Sequence, residues 1–165
     1  KRQDMAMDLI LQSRERATVS LLDGTSEAPD VHALVKQLHQ NGRLTPTLII
    51  RALCMGDLVF FETALAQKAE IPVVNVYKLV HDKGDLPLQR LFEKAEMPEA
   101  MIPLARVALD VAMGMEIQSS DDREKFRSVM LERVLTHFEE DFDTENLDYF
   151  ISKLATQNTN AAVHA

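Results

Sequence analysis

One cysteine and five histidines are where nucleophilic or metal chemistry would have to begin in this chain. Cys54 stands in Ala52-Leu53-Cys54-Met55-Gly56, at the end of an apolar stretch with no His within a turn, and reads as a buried thiol rather than a nucleophile held by a base. His32, His39, His81, His137 and His164 form neither His-Glu-x-x-His nor any Glu-x-x-His pair, so the zincin and di-iron carboxylate patterns fail. His81 and Asp85 are four apart, but Gly84 breaks the helix between them. His137 and Asp141 could share a helical face, which is half a metal site at most. A calcium loop begun at Asp141 in the acidic run Glu139-Glu140-Asp141-Phe142-Asp143 has Asn146 where Gly is required and Ser152 where the closing Glu is required. The 5 Gly stand singly, so no phosphate-cradling loop is present. These patterns yield no catalytic residue, no cofactor-binding residue, no metal ligand and no cofactor.

The most informative polar pair is Arg106 and Asp110, four apart on an otherwise apolar stretch, a spacing at which an ion pair closes along a helix. It is expected to seal a helix junction internally, with a polar anchor in a partner groove as the other role.

The elements that must position these residues are punctuated by a near-repeat. Gly56-Asp57-Leu58 returns as Gly84-Asp85-Leu86, 28 positions on (84 − 56), and Lys68-Ala69-Glu70-Ile71-Pro72 returns as Lys94-Ala95-Glu96-Met97-Pro98, 26 on (98 − 72). Gly42-Arg43-Leu44 is a weaker echo half a period upstream. A period of this length marks stacked helices. Gly ends a helix in the left-handed conformation, Asp after it accepts the free amides of the next, and Pro opens a helix without continuing the previous one. Breakers at Gly42, Gly56, Pro72, Gly84, Pro98 and Gly114 then delimit short helices.

The hydrophobic spacing fills in those helices. A first segment over 4–22 closes at Asp23-Gly24 and a loop covers 25–29. Asp30 then caps a stripe of Val31, Leu34, Val35 and Leu38. Thr45-Pro46 starts a helix with Leu48, Ile49, Ala52 and Leu53 inward. The next carries Leu58, Phe61, Ala64, Leu65 and Ala69, with Phe60 beside that stripe. Val76, Leu79 and Val80 belong to a helix over 73–83, and Leu86, Leu88, Leu91, Phe92 and Ala95 to the following one. After a short turn at Pro98, residues 103–115 are apolar almost all round, which predicts the central helix. Ser119-Ser120-Asp121-Asp122 caps a long charged helix and Asp143-Thr144 opens the last. Helices of about three turns are unstable alone in water, so they must stack. The expected fold is all-α: stacked short antiparallel helices, either a HEAT-like right-handed helical repeat or an irregular α-bundle. Residues 1–155 form one repeat-like domain and 156–165 a flexible tail.

Composition bounds the function. A formal net charge of −8 and a pI near 5.1 leave phosphate repulsion uncompensated, and no concentrated basic patch shows in the sequence, so nucleic acid is excluded as a partner. A helix-turn-helix over 45–66 would present Phe60, Phe61 and Glu62 and no cation before Lys68. No apolar run reaches the roughly 18 residues of a membrane span, which excludes a membrane-spanning role, and one Cys suits a reducing, cytoplasmic setting. A chain that begins at Lys1 without an initiator Met reads as a fragment of a longer protein.

The segment Leu53-Cys54-Met55-Gly56-Asp57-Leu58-Val59-Phe60-Phe61-Glu62-Thr63-Ala64-Leu65-Ala66 resembles an alphaproteobacterial domain-of-unknown-function family, number 2336. So do Phe92-Glu93-Lys94-Ala95-Glu96-Met97-Pro98 and the closing stretch from Glu145 to Leu154. The likeness covers roughly Thr45 to Leu154 and is most specific at Gly-Asp-x-x-Phe-Phe-Glu. It implies a bacterial cytoplasmic protein with HEAT-like helical repeats and brings no catalytic residues. The two-residue shortening of the second copy departs from smooth stacking.

Together these features lead to an expected non-catalytic helical-repeat module, regulatory or scaffolding, that binds a protein or peptide partner or a second copy of itself. One alternative is a small-ligand binder or enzyme with a pocket beside the central helix 103–115, lined by Met residues, Cys54 and convergent polar groups. Another is an oligomerisation domain.

Overall fold

The computed structural model describes residues 28–115, 120–138, 151 and 153–155. Seven α-helices follow in order: α1 Ala28–Gln40, α2 Pro46–Cys54, α3 Leu58–Ala69, α4 Val73–Val80, α5 Asp85–Lys94, α6 Ile102–Gly114 and α7 Ser120–Phe138. A single 3-10 turn, Glu99–Met101, precedes α6. Residues 151 and 153–155 are also helical, and the described residues contain no strand. The fold is all-α, as the spacing of apolar residues requires. The helix expected over 4–22, the start of the last helix at Asp143 and the tail over 156–165 lie outside the described residues.

Four of the helix ends share one closure. At Gly42, Gly56, Glu70 and Glu96 the backbone turns left-handed, with φ of 67, 86, 57 and 58°. In each, the amide of the following residue reaches back to a carbonyl five positions upstream: Arg43 to Leu38, Asp57 to Ala52, Ile71 to Ala66 and Met97 to Phe92, at 2.8 to 3.2 Å. The first three closures fall fourteen residues apart, at 42, 56 and 70. Between them the next helix is capped as its sequence predicts. The Thr45 hydroxyl accepts from the Leu48 amide at 3.2 Å and the Asp57 carboxylate from Phe60 at 3.0 Å.

Gly84 does not act as predicted. α4 ends a turn early, at Val80 with His81 as its cap, and Gly84 has an extended backbone (φ −74°, ψ 154°) at the start of α5. The repeated Gly-Asp is therefore displaced by one structural position between its copies: Gly56 closes a helix and Asp57 caps the next, whereas Gly84 caps and Asp85 is already helical. Pro72 and Pro98 occupy the cap position, one residue before the helix or 3-10 turn that follows each.

The centre of the core is α3, not the helix over 103–115. α3 packs against α1, α2, α4 and α5, and buries Phe60, Phe61, Thr63, Ala64, Leu65, Ala66 and Ala69. Both Phe60 and Phe61 are wholly buried because the helix is covered on more than one side. α6 instead keeps an outer face, on which Pro103 and Asp110 are exposed and Met113 is 42% exposed. Small residues Ala105, Ala108 and Ala112 line its inner side, where it lies on α2, α5 and α7. The direct contact of α2 with α6 joins helices that nearest-neighbour stacking would keep apart. The packing is all-helical and fits either form expected for this chain, bundle or stacked repeat.

Candidate functional site

Most polar side chains that could do chemistry meet around the end of α4. His81 caps that helix, and its ring stacks on Tyr77 one turn earlier, with centroids 3.9 Å apart and planes at 35°. Its Nε2 is buried and stands 3.4 Å from Glu62 Oε1 on α3, without a well-directed hydrogen bond. Burial pushes the Glu62 carboxyl above its ordinary range, and the adjacent imidazole pulls it part of the way back. Tyr77 and Glu62 are the side chains that meet the His81 ring. Its mechanical effect is to tie α3 to the C-terminal end of α4.

The turn after His81 is held from the other side by Arg106 of α6. Arg106 Nη2 donates to the Gly84 carbonyl at 2.9 Å, Nη1 to the Asp82 carbonyl at 3.4 Å, and Nη2 lies 3.5 Å from the exposed Asp85 carboxylate. The expected pairing of Arg106 with Asp110 does not form. Asp110 is exposed, and the Arg106 guanidinium is held instead by the carbonyls of the turn. His81 and Asp85, considered together as half a metal site, face different partners: Glu62 for the first, Arg106 for the second. Among the described residues no three His, Cys, Asp or Glu side chains converge on one point. His137 and Asp141 as a pair, and the acidic loop from Asp141, fall outside what the structure describes. Cys54 is buried at the end of α2.

Three surface clefts adjoin these elements. One of about 500 Å³ lies beside α6, lined by Pro103, Arg106, Val107 and Asp110 with Arg133 and Thr136 of α7. It has the position expected for a small-molecule pocket but neither Met nor Cys54 in its walls. Arg106 is already committed to the turn, and the Thr136 hydroxyl donates to its own helix at Glu132, 2.9 Å away. The other two clefts flank α5. On one side a groove of about 440 Å³ between α4 and α5 is lined by Ile71, Asn75, Lys78, Leu79, Arg90, Leu91 and Lys94. On the other, a cleft of about 540 Å³ has Gln89, Glu93, Glu96 and Glu99 over Phe92, Met97 and Ile102. α5 thus divides a cationic groove from an anionic one.

That division was present in Gln89-Arg90-Leu91-Phe92-Glu93-Lys94, where Arg90 and Lys94 share one helical face and Gln89 and Glu93 its neighbour. Sequence reading passed over it. It also passed over Arg51, a cation only 5% exposed on α2, and it gave Glu62, the one acidic residue between Asp57 and Glu70, no role beyond a face unsuited to phosphate.

The chain belongs to a bacterial protein family described as uncharacterised and conserved in bacteria, DUF2336, whose match runs over residues 1–141. The match begins upstream of the segment that carried the resemblance and stops before its closing stretch at Glu145 to Leu154. No curated protein and no solved structure matches the chain. No described helix is long and apolar enough to cross a membrane.

Proposed function

We propose that this chain is a non-catalytic docking module, regulatory or scaffolding, that binds a protein segment in the groove between α4 and α5. The observation that carries this reading is the make-up of that groove: three aliphatic side chains, Ile71, Leu79 and Leu91, with three cations around them. Lys78, Arg90 and Lys94 form no ion pair or side-chain hydrogen bond among the described residues, so their charge is available to a ligand. Beside them on α4, Val74 is 58% and Tyr77 51% exposed, which extends the apolar surface beyond the groove. The buried setting of Cys54 and the burial of His81 against Glu62 support a binding role over a catalytic one. The lone Cys54 also accords with the reducing bacterial cytoplasm as the place of work.

A photo-crosslinking residue at Asn75, inside the groove, tests the proposal in the native bacterium, with the same residue at the exposed His32 of α1 as reference. A discrete protein adduct at position 75 and none at 32 is expected. Equal background at both positions would sink the docking reading, and an adduct of twice the chain's own mass would replace it with self-assembly. A small-molecule site beside α6 is the weaker reading, since the cleft there has only Asp110 and Arg133 uncommitted.

A further inference from the structure

We infer that the occupant of the α4–α5 groove is an acidic amphipathic protein segment, one that presents carboxylates a helical turn apart beside a short row of aliphatic side chains. This inference rests on the docking role proposed above and specifies its partner. Arg90 and Lys94 are four apart on α5 and project along one edge of the groove, with Lys78 of α4 on the other edge. Two carboxylates at the same four-residue spacing face that edge in register. The half-buried Ile71 and Leu79 between the edges, above the buried Leu91, take the aliphatic side chains.

The division of labour follows from magnitudes. Each exposed ion pair at the rim contributes little by itself, so affinity comes from the aliphatic floor. The three cations act on selection and on association rate, because a chain with a formal charge of −8 repels acidic partners on the whole while the groove attracts them. The anionic cleft across α5, with Glu93, Glu96 and Glu99, rejects a ligand placed on the wrong side. A nucleic acid would meet three cations against the net negative charge of the chain. A bilayer surface is flat, whereas the groove sets the half-buried Ile71 and Leu79 between two cationic edges.

Selection from a phage-displayed library of random helical peptides against the full chain at low salt is the test. The best peptide is then measured by fluorescence anisotropy against wild type, Arg90→Gln/Lys94→Gln and Arg90→Glu/Lys94→Glu. The selected sequences should be enriched in Asp or Glu three or four apart next to Leu or Ile. The Gln variant should bind about tenfold more weakly, and the Glu variant should prefer the same peptide with its acids changed to Lys. Helical circular dichroism confirms that each variant is folded, as expected for exposed side chains that no described contact uses. Enrichment of basic or purely apolar peptides, no enrichment at all, or binding indifferent to both substitutions would overturn the inference. So would capture of the chain by anionic phospholipid vesicles through Arg90 and Lys94 in the absence of peptide binding, which would assign the groove to lipid headgroups. If the peptide arm fails while the adduct at Asn75 persists, the partner's chemistry is wrong and the docking role stands. Loss of both removes the role as well.

Discussion

Glu70 and Glu96 hold the same left-handed backbone conformation, φ 57 and 58°, at the ends of α3 and α5, and each is followed by an apolar residue and then a proline. The position is one that glycine fills without steric cost, and here a glutamate fills it twice. The two sites differ in their electrostatics. Glu96 lies close enough to Lys68 to favour that residue's charged form, against a larger effect of burial that lowers the lysine's pKa.

Replacing Glu70 by Gly should therefore stabilise the fold by about 0.5 kcal/mol, the relief of left-handed strain less the extra freedom of glycine in the unfolded chain. Glu96→Gly should gain less, because it also leaves the half-buried Lys68 without its neighbour. Urea unfolding of the two variants checks the order. A gain at 96 equal to that at 70 would show that the Lys68 contact contributes nothing.

The glycines separate in the same way. Gly42→Ala should cost about 1 kcal/mol purely through backbone strain, since a Cβ at Gly42 meets nothing within 4 Å. Gly84→Ala should change stability by less than about 0.5 kcal/mol, because φ there is −74° and the closest obstacle is the exposed Asp82 carboxylate, 3.2 Å from the added carbon. Thermal unfolding midpoints measure both. Equal losses would mean that Gly84 closes a helix after all.

Arg106 and Asp110 give a second contrast. Arg106→Leu removes the donors to the Gly84 and Asp82 carbonyls and should cost about 1 kcal/mol, the low end for a charged hydrogen bond because the guanidinium is half-exposed. Asp110→Asn should be neutral to within about 0.5 kcal/mol. Non-additive losses in the double variant would restore the pairing that the sequence spacing suggests.

Most helix boundaries were legible because each is set by a few adjacent residues: Thr45-Pro46 and Gly56-Asp57 state their turns locally, and the structure follows them. The near-repeat was legible for its spacing but not for its mechanism. Glu70 and Glu96 gave no sign of a left-handed backbone, since glutamate seldom adopts one. Gly84 misled because α4 has already ended at Val80, with His81 as its cap, before the breaker is reached. Which helix lies at the centre could not be read from hydrophobicity either. α6 is apolar on nearly every side, yet α3, with Glu62, Thr63, Gln67 and Lys68 along it, has more neighbours to pack against. The cationic groove draws Lys78 from one helix and Arg90 and Lys94 from another, a pairing that exists only once α4 and α5 meet.

The Glu62 and His81 contact makes stability depend on pH in a direction opposite to that of an ordinary salt-bridged carboxylate. Burial raises the Glu62 pKa in the folded protein above the ordinary value of 4.5, so folding favours the protonated acid. The contribution of this residue is fully present below 4.5 and is lost as pH rises through the folded value. The His81 imidazole beside it offsets part of that loss. Glu62→Gln keeps the shape and removes the titration, so its unfolding midpoint in urea should fall less than that of wild type between pH 5 and pH 8. His81→Gln should steepen the fall, because the carboxylate then has nothing beside it. Identical pH profiles for wild type and Glu62→Gln would show that the carboxylate is solvated in the folded protein.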